Sequence, residues 1–429
     1  MNKKEMIYSV TLIIIIYSIY AIFTLNNLDV YNDETAQAFI SRLPLNKMLF
    51  FDVHPILYPL VLKITPLNLM IMRLLSIVLG AFSIVTVYKI SKSLIKDNDF
   101  AIYSCFFVIV NPYFIKYCVY AMPYSLAILL SLLSTYFFIE LFINHNCKAF
   151  EFYSFIIVSI LMLFTHHFTI FLLFAQIIYL LYYKIIIKEM IILYGCFFLI
   201  FCTNAFKVLL KPSLNHRTLT WLLPFYTIIV LFGSAIIFGI FLFTFIRKRL
   251  QTKNMLNEEF ILLLYFIVPL IIALIVSFFF SIWSDRYFVF YISYVMIYFM
   301  YLVNSLDTIA IEKIAIVTFS LLIMMIVFQS SLTFETPLIN AISKIDCSQT
   351  YIHKSSFSFL PFEFYHCGNN YLIDNESYYA TPITQKDKLI KAIDYQSMHP
   401  YNIVEDYKII PYAGKLVFNE SNLMITFIP

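Results

Sequence analysis

Two adjacent carboxylates, Asp33 and Glu34, stand just past the first long apolar run, in the stretch Tyr31-Asn32-Asp33-Glu34. A carboxylate beside the hydrocarbon region is expensive, so acids are rare there and usually have a task. A carboxylate held at a membrane surface can act as a general base, taking a proton from a hydroxyl or amine as it attacks. Sorting the acids of the membrane part by side leaves only Asp29, Asp33, Glu34, Asp52 and Asp285 on one face. An enzyme working on that face must draw its base from this short set. The structural alternative is that Asp33 and Glu34 open a short interfacial helix over about 33–42, where an acid near a helix start is favourable.

The elements that position these acids follow from composition. Hydrophobic residues make up 62% of the chain and charged residues 13%, where a soluble protein carries about 25% charged. Apolar runs near the bilayer-spanning length of about 20 residues recur throughout. The expected spans are roughly 6–25, 68–90, 100–118, 121–143, 150–165, 167–184, 189–206, 221–246, 259–281, 286–304 and 312–331. That makes an all-α polytopic membrane protein with about eleven transmembrane helices. The net charge of +4 does not indicate nucleic acid, because the basic residues sit in short loops between apolar runs.

Those loops set an orientation. With the N-terminus in the cytoplasm, alternation sends Lys3, Lys4, Lys89, Lys92, Lys96, Lys148, Lys184, Lys188, Arg247, Lys248, Arg249, Lys253 and Lys313 to the cytoplasmic side. The other side receives fewer, despite its longer loops, which is the positive-inside pattern. The outer segments are 26–67, about 207–220, and the tail. The tail has more charge and aromatic-polar alternation, as in Tyr351-Ile352-His353 and Lys415-Leu416-Val417-Phe418. We therefore expect residues 1–334 to form the membrane domain, with 26–67 as its first outer loop, and 335–429 a small α+β extracytoplasmic domain. Cys347 and Cys367 lie in that tail on the oxidising side and are expected to pair, closing a loop that stabilises the domain by roughly 3 kcal/mol.

An ordered set of short phrases carries a resemblance. Asp33-Glu34 is followed by His54-Pro55-Ile56-Leu57-Tyr58, then by Met72-Arg73-Leu74-Leu75-Ser76. Further on come Asn111-Pro112 through Tyr124, Thr165-His166-His167-Phe168, Arg286-Tyr287, and the tail phrase from Ile352-His353 to Pro361 and Tyr365. In this order they resemble GT-C glycosyltransferases, of the dolichyl-phosphate-mannose protein mannosyltransferase-like group, with lipid A aminoarabinose transferases as relatives. The family turn before its fourth helix carries a Gln-Glu-Ala-Arg-Pro-Tyr-like stretch. Here that run is Val119-Tyr120-Ala121-Met122-Pro123-Tyr124, with Tyr120 and Met122 at the Glu and Arg positions.

The resemblance implies transfer of a sugar from a polyprenyl-phosphate-linked donor to a lipid, glycan or protein acceptor, on the extracytoplasmic face of the cell membrane. Asp33 is then the base, with Glu34 as second base or orienting partner. His54, Arg73, Arg217 and Arg286 hold the donor phosphate, Arg being suited to bidentate contact. Tyr120, Tyr124, His166, His167 and Tyr287 line the substrate. For each lone His or Arg the alternative is a snorkelling contact at a helix end. Arg73, inside an apolar segment, calls for a partner such as Asp33 or Asp52. No Asp-x-Asp motif occurs in the outer loops, so a metal-independent reaction is expected. Competing classes are a flippase or transporter, which predicts a charged central path and repeats, a surface-polysaccharide polymerase or ligase with a large late outer loop, and a catalytically silent relative.

Overall fold

Caps and breakers decide where the helices begin and end. The computed structural model describes residues 3–27, 32–51, 55–146, 148–185, 188–209, 231–232, 234–252, 255–277 and 285–331, together with tail strands at 350–353, 369–373, 389–390, 401–405, 408–412, 416–418 and 425–427. The helices among these residues are α1 Lys3–Asn27, α2 Asn32–Ile40, α3 Leu45–Phe51, α4 Leu57–Lys63, α5 Leu69–Ile95, α6 Asn98–Ile109, α7 Pro112–Val119, α8 Tyr124–Phe142, α9 Ala149–Leu163, α10 Ile170–Tyr182, α11 Lys188–Leu209, α12 Ala235–Gln251, α13 Asn257–Ser277, α14 Ile292–Asn304 and α15 Ala310–Ser331.

The Asp97 carboxylate starts α6 by accepting from the N–H groups of Asp99 (2.8 Å) and Phe100 (3.2 Å). Asn111 does the same for α7, accepting from Tyr113 N (3.0 Å) and Phe114 N (3.3 Å), with Pro112 at the first helical position. Asn111 also donates to Leu231 O at 3.3 Å. The single span expected at 100–118 is therefore two helices bent by 66°. Inside the expected 221–246 span, α12 starts at Ala235, where Ser234 Oγ accepts from Ile237 N at 3.2 Å.

Four described helices are long and apolar enough to cross a bilayer, and the bent α6–α7 pair makes a fifth. Eleven were expected. Shorter apolar helices among the described residues, Ala149–Leu163, His167–Tyr182 and Val289–Asn304, fall below spanning length and end at polar turns, and the expected span at 221–246 extends beyond the described residues.

The chain divides into two compact units, one of Met1–Asn26, Asp52–Val61 and Met70–Thr333, the other of Asn27–Phe51, Leu62–Leu69 and Phe334–Pro429. In the first unit α14 is the core helix. Every residue from Ile292 to Val303 is buried, as expected of a helix apolar on all sides. It packs against α6 and α13, while α8 packs on α9 and α10 on α13. Polar pairs stitch this apolar interior: Thr135 Oγ1 with Tyr294 Oη (3.0 Å), Gln176 Nε2 to Tyr265 Oη (3.2 Å), Tyr194 Oη to Gln176 Oε1 (3.1 Å), and Ser134 with Ser159 (2.8 Å).

The two ends of this bundle differ in chemistry. At one end α5, α8, α10, α12 and α14 finish and α13 and α15 begin. That end is ion-paired: Lys96 with Glu258 at 2.7 Å, Arg247 with Glu312, and both Lys248 (3.2 Å) and Arg249 with the fully buried Glu259. Asn144 Nδ2 donates to Ser93 Oγ (2.7 Å) and Asn304 Nδ2 to Ile95 O (3.5 Å) there. Lys96, His145 and Lys184 follow α5, α8 and α10 at this end with φ of 61°, 55° and 55°. At Lys184 the turn is a Schellman motif, Ile185 N donating to Leu180 O (2.9 Å) and Lys184 N to Leu181 O (3.1 Å).

The second unit holds α2 and α3. Arg42 Nη1 donates to Lys63 O (3.0 Å), and Lys63 Nζ returns to Leu43 O (3.2 Å). Its tail strands are β1 Thr350–His353, β2 Asn369–Ile373, β3 Leu389–Ile390, β4 Tyr401–Glu405, β5 Lys408–Tyr412, β6 Leu416–Phe418 and β7 Ile425–Phe427. Five form one sheet in the order β3-β2-β1-β4-β5, parallel except for the β4–β5 hairpin, in which Tyr401 faces Tyr412. β6 and β7 pair antiparallel. Tyr351-Ile352-His353 and Leu416-Val417-Phe418 of the alternating phrases lie in strands β1 and β6. Cys347 and Cys367 lie outside the described residues.

Candidate active site

At the other end of the helical unit lie the starts of α5, α8, α10 and α14. Each helix N-terminus presents unsatisfied N–H groups and a positive partial charge. The site is built there, on turns rather than on helix bodies.

Arg73, in the second turn of α5, is only 4% exposed, and its guanidinium carbon lies 5.8 Å from the Tyr120 ring centroid. Tyr120 caps the C-terminal end of α7; its N–H donates to Lys116 O (3.2 Å) and its carbonyl accepts from Met122 N (2.8 Å). This tight turn leads directly into Tyr124, the first residue of α8. Tyr117 bridges the two tyrosines, 6.2 Å from Tyr120 and edge-on at 5.0 Å from Tyr124.

From Tyr124 the rings continue to His166 at 5.7 Å. His166 is 1% exposed and sits against Phe290 (4.6 Å) and Tyr287 (5.9 Å). Its Nδ1 accepts from Phe168 N at 3.3 Å, which puts the proton of the neutral imidazole on Nε2. The turn that carries it is held from three sides. Leu57 N donates to Phe164 O (2.9 Å), Tyr291 Oη to Phe168 O (2.6 Å), and Thr169 Oγ1 to His166 O (2.7 Å). Phe168 stacks on Tyr287 at 4.4 Å and 8°, and the Arg286 guanidinium lies over Tyr287 at 5.2 Å. Arg286 and Tyr287 come from the one-turn helix Asp285–Tyr287.

The result is one aromatic seam with an arginine at each end: Arg73, Tyr120, Tyr117, Tyr124, His166, Tyr287, Arg286. A guanidinium over an aromatic face is held in orientation by the ring. The half-buried members Arg286, Tyr287 and His167 reach the surface; Tyr124 and His166 form the wall behind them.

Of the other residues singled out from sequence, Asp33 and Glu34 lie in the first turn of α2, in the second unit. The helix Asn32–Ile40 is the short helix that a structural role for these acids requires, so the favourable dipole position is real. Glu34 is 0% exposed and Asp33 half-buried. His54, Arg217, Asp29 and Asp52 lie outside the described residues. Sequence reasoning missed Tyr117, Phe168 and Phe290. Among 46 Phe and 33 Tyr, ring spacing alone marks none of them; only Phe168 had a signal, its place after the paired histidines. Among the described residues no three His, Cys, Asp or Glu side chains converge.

Residues 53–206 match the family model of dolichyl-phosphate-mannose-protein mannosyltransferases. The fold is similar to that of ArnT from Cupriavidus metallidurans in the apo state, with a TM-score of 0.60 at 12% identity, covering 91% of this chain and 93% of that one. It is equally similar to the same protein bound to undecaprenyl phosphate, with a TM-score of 0.59 at 11% identity, covering 92% and 93%. No curated protein sequence matches the chain. A polytopic helical membrane fold with this architecture defines the class. Within it, residues 53–206 are similar to the mannosyltransferase family model, and the fold as a whole is similar to that of ArnT.

Proposed function

We propose that this chain transfers a sugar from a polyprenyl-phosphate-linked donor to a hydroxyl or amine acceptor on the extracytoplasmic face. The observation that carries this reading is the seam, which presents Arg73 and Arg286 at the end of the bundle where helix N-termini gather. That arrangement suits a phosphate. The opposite end, rich in Lys and Arg paired to Glu, suits the cytoplasmic side by the positive-inside rule. Likeness to a protein solved with undecaprenyl phosphate supports the donor class.

In the proposed step the acceptor's oxygen or nitrogen forms a bond to the anomeric carbon from the face opposite the phosphate. Asp33 takes the acceptor's proton, with Glu34 beside it in the same helical turn. The bond from anomeric carbon to phosphate oxygen breaks, and its electron pair leaves on the lipid phosphate. Configuration at the carbon inverts. Arg73 and Arg286, with His54 and Arg217, offset the charge that develops on the leaving group. Tyr120, His167 and Tyr287 line the substrate, backed by Tyr124 and His166.

The test is transfer from a synthetic undecaprenyl-phosphate sugar by the purified protein. Asp33→Asn should lower turnover about 10²–10⁴-fold with insertion and melting temperature unchanged. Near-normal turnover by that variant removes Asp33 as the base.

A further inference from the structure

Lys116 is a third cation on the seam. It lies in the last turn of α7, half-buried, with its Nζ 5.6 Å from the centroid of Tyr117, the ring that joins Tyr120 to Tyr124. Its position differs from that of Lys96 and Lys248 at the ion-paired end. Lys96 and Lys248 each face a glutamate, whereas no carboxylate among the described residues comes within ion-pair distance of Lys116. A half-buried ammonium loses hydration, and a ring face returns only part of that loss. An anion beside it returns the rest.

Its neighbours suggest which anion. The Lys116 carbonyl accepts from Tyr120 N, so Lys116 stands one helical turn before the residue whose ring faces Arg73. Two residues beyond Tyr120, Met122 occupies the position where the similar family turn has Arg, and it is 1% exposed, packed where no charge fits. The turn thus lacks a cation at 122 and carries one at 116.

We propose that Lys116 binds the phosphate of the lipid-linked donor, acting with Arg73. The inference rests on the function proposed above. A lysine at a helix end also meets the phosphate of ordinary anionic phospholipids, and the experiment separates the two sources.

Full-length protein is placed in phosphatidylcholine nanodiscs and titrated with undecaprenyl phosphate. Wild type should bind. K116M keeps the stem and removes the charge, and should raise Kd about tenfold, the usual size of one charge-assisted contact. K116R should bind within about threefold of wild type, and the salt dependence of binding should be shallower in K116M than in wild type. K116Q provides a second uncharged side chain if K116M does not insert. Binding by K116M equal to wild type, while Arg286→Gln binds weakly, overturns the role of Lys116 and leaves the transferase reading intact. A K116M defect seen only in discs containing phosphatidylglycerol assigns the lysine to bilayer headgroups and also overturns it. Failure of wild type to bind undecaprenyl phosphate at all overturns the donor reading, and this inference with it.

Discussion

Tyr120 and Met122 differ in what a charged replacement would meet. Tyr120 is 9% exposed and faces Arg73, so a glutamate there finds a cation. Met122 is closed in, and Met122→Arg buries a guanidinium in apolar packing. We expect the first substitution to fold and the second to lose about 3 kcal/mol or more, read as a fall in melting temperature in detergent. A double replacement restoring the family's pair should therefore fail to fold rather than gain activity. Phe168 supports a second expectation. Its ring stacks under Tyr287, which in turn carries Arg286. Phe168→Leu should raise KM for the lipid donor several-fold with a smaller change in kcat, and Phe168→Tyr should restore it; equal losses from both would show that stacking is not what matters. At this scale the sequence singled out Arg73, Tyr120, Tyr124, His166 and Arg286, which successive ring contacts link in one seam. It could not reveal Tyr117, Phe168 or Lys116, whose roles depend on which rings meet across α7, α8 and the 164–169 turn.

Helices in this chain meet closely at small residues and stop under strain. A Cβ added at Gly80 on α5 would collide with the Tyr17 hydroxyl and approach Tyr17 Cζ at 2.8 Å and Cys118 Cβ at 3.1 Å. Tyr17 is fully buried and its hydroxyl donates to Ile77 O at 3.2 Å, so it has no room to withdraw. Gly80→Ala should destabilise the protein by about 1–3 kcal/mol. Pairing it with Tyr17→Phe, which removes the colliding oxygen, should recover part of that loss. Lys184 offers the opposite case. It is exposed at φ 55° in a Schellman turn that glycine adopts without cost. Lys184→Gly should raise stability by about 0.5–1 kcal/mol, visible as a higher melting temperature. Helix existence was legible from apolar runs, and the acidic first turn of α2 was too. The break at Asn111-Pro112 was harder to see, because hydrophobicity runs on unbroken through a 66° bend and only the cap chemistry marks it.

The helical unit as a whole is polarised, with paired charges at one end and ring-seated cations at the other. If the ion-paired end is cytoplasmic, a cysteine-free variant carrying Thr252→Cys should be shielded from an impermeant thiol reagent in intact cells, and one carrying Asn46→Cys should label. The reverse pattern inverts the assignment. Hydropathy counts apolar residues without regard to the turns that cut them, so the polar turns at Thr165-His166-His167 and at Asp285–Tyr291 leave shorter helices than the apolar runs suggest. The alternation in the tail was read more securely, since a period of two at Tyr351-Ile352-His353 and Leu416-Val417-Phe418 corresponds directly to strands β1 and β6.

Glu259 has a consequence for how the chain is made. Its carboxylate is wholly buried, and its partner Arg249 stands only ten positions earlier, on the preceding helix. A nascent chain that has released α12 but not yet α13 carries Lys248 and Arg249 with no acid to meet them. Glu259 offsets one of these two charges only when the two helices enter the bilayer as a hairpin, which makes their insertion a single coupled event during synthesis. A chain truncated after residue 256 should then be cleared quickly by quality-control proteases in pulse-chase labelling, and full-length Glu259→Gln should share that short lifetime. Glu312→Gln, whose partner Arg247 remains part-exposed to water, should persist far longer.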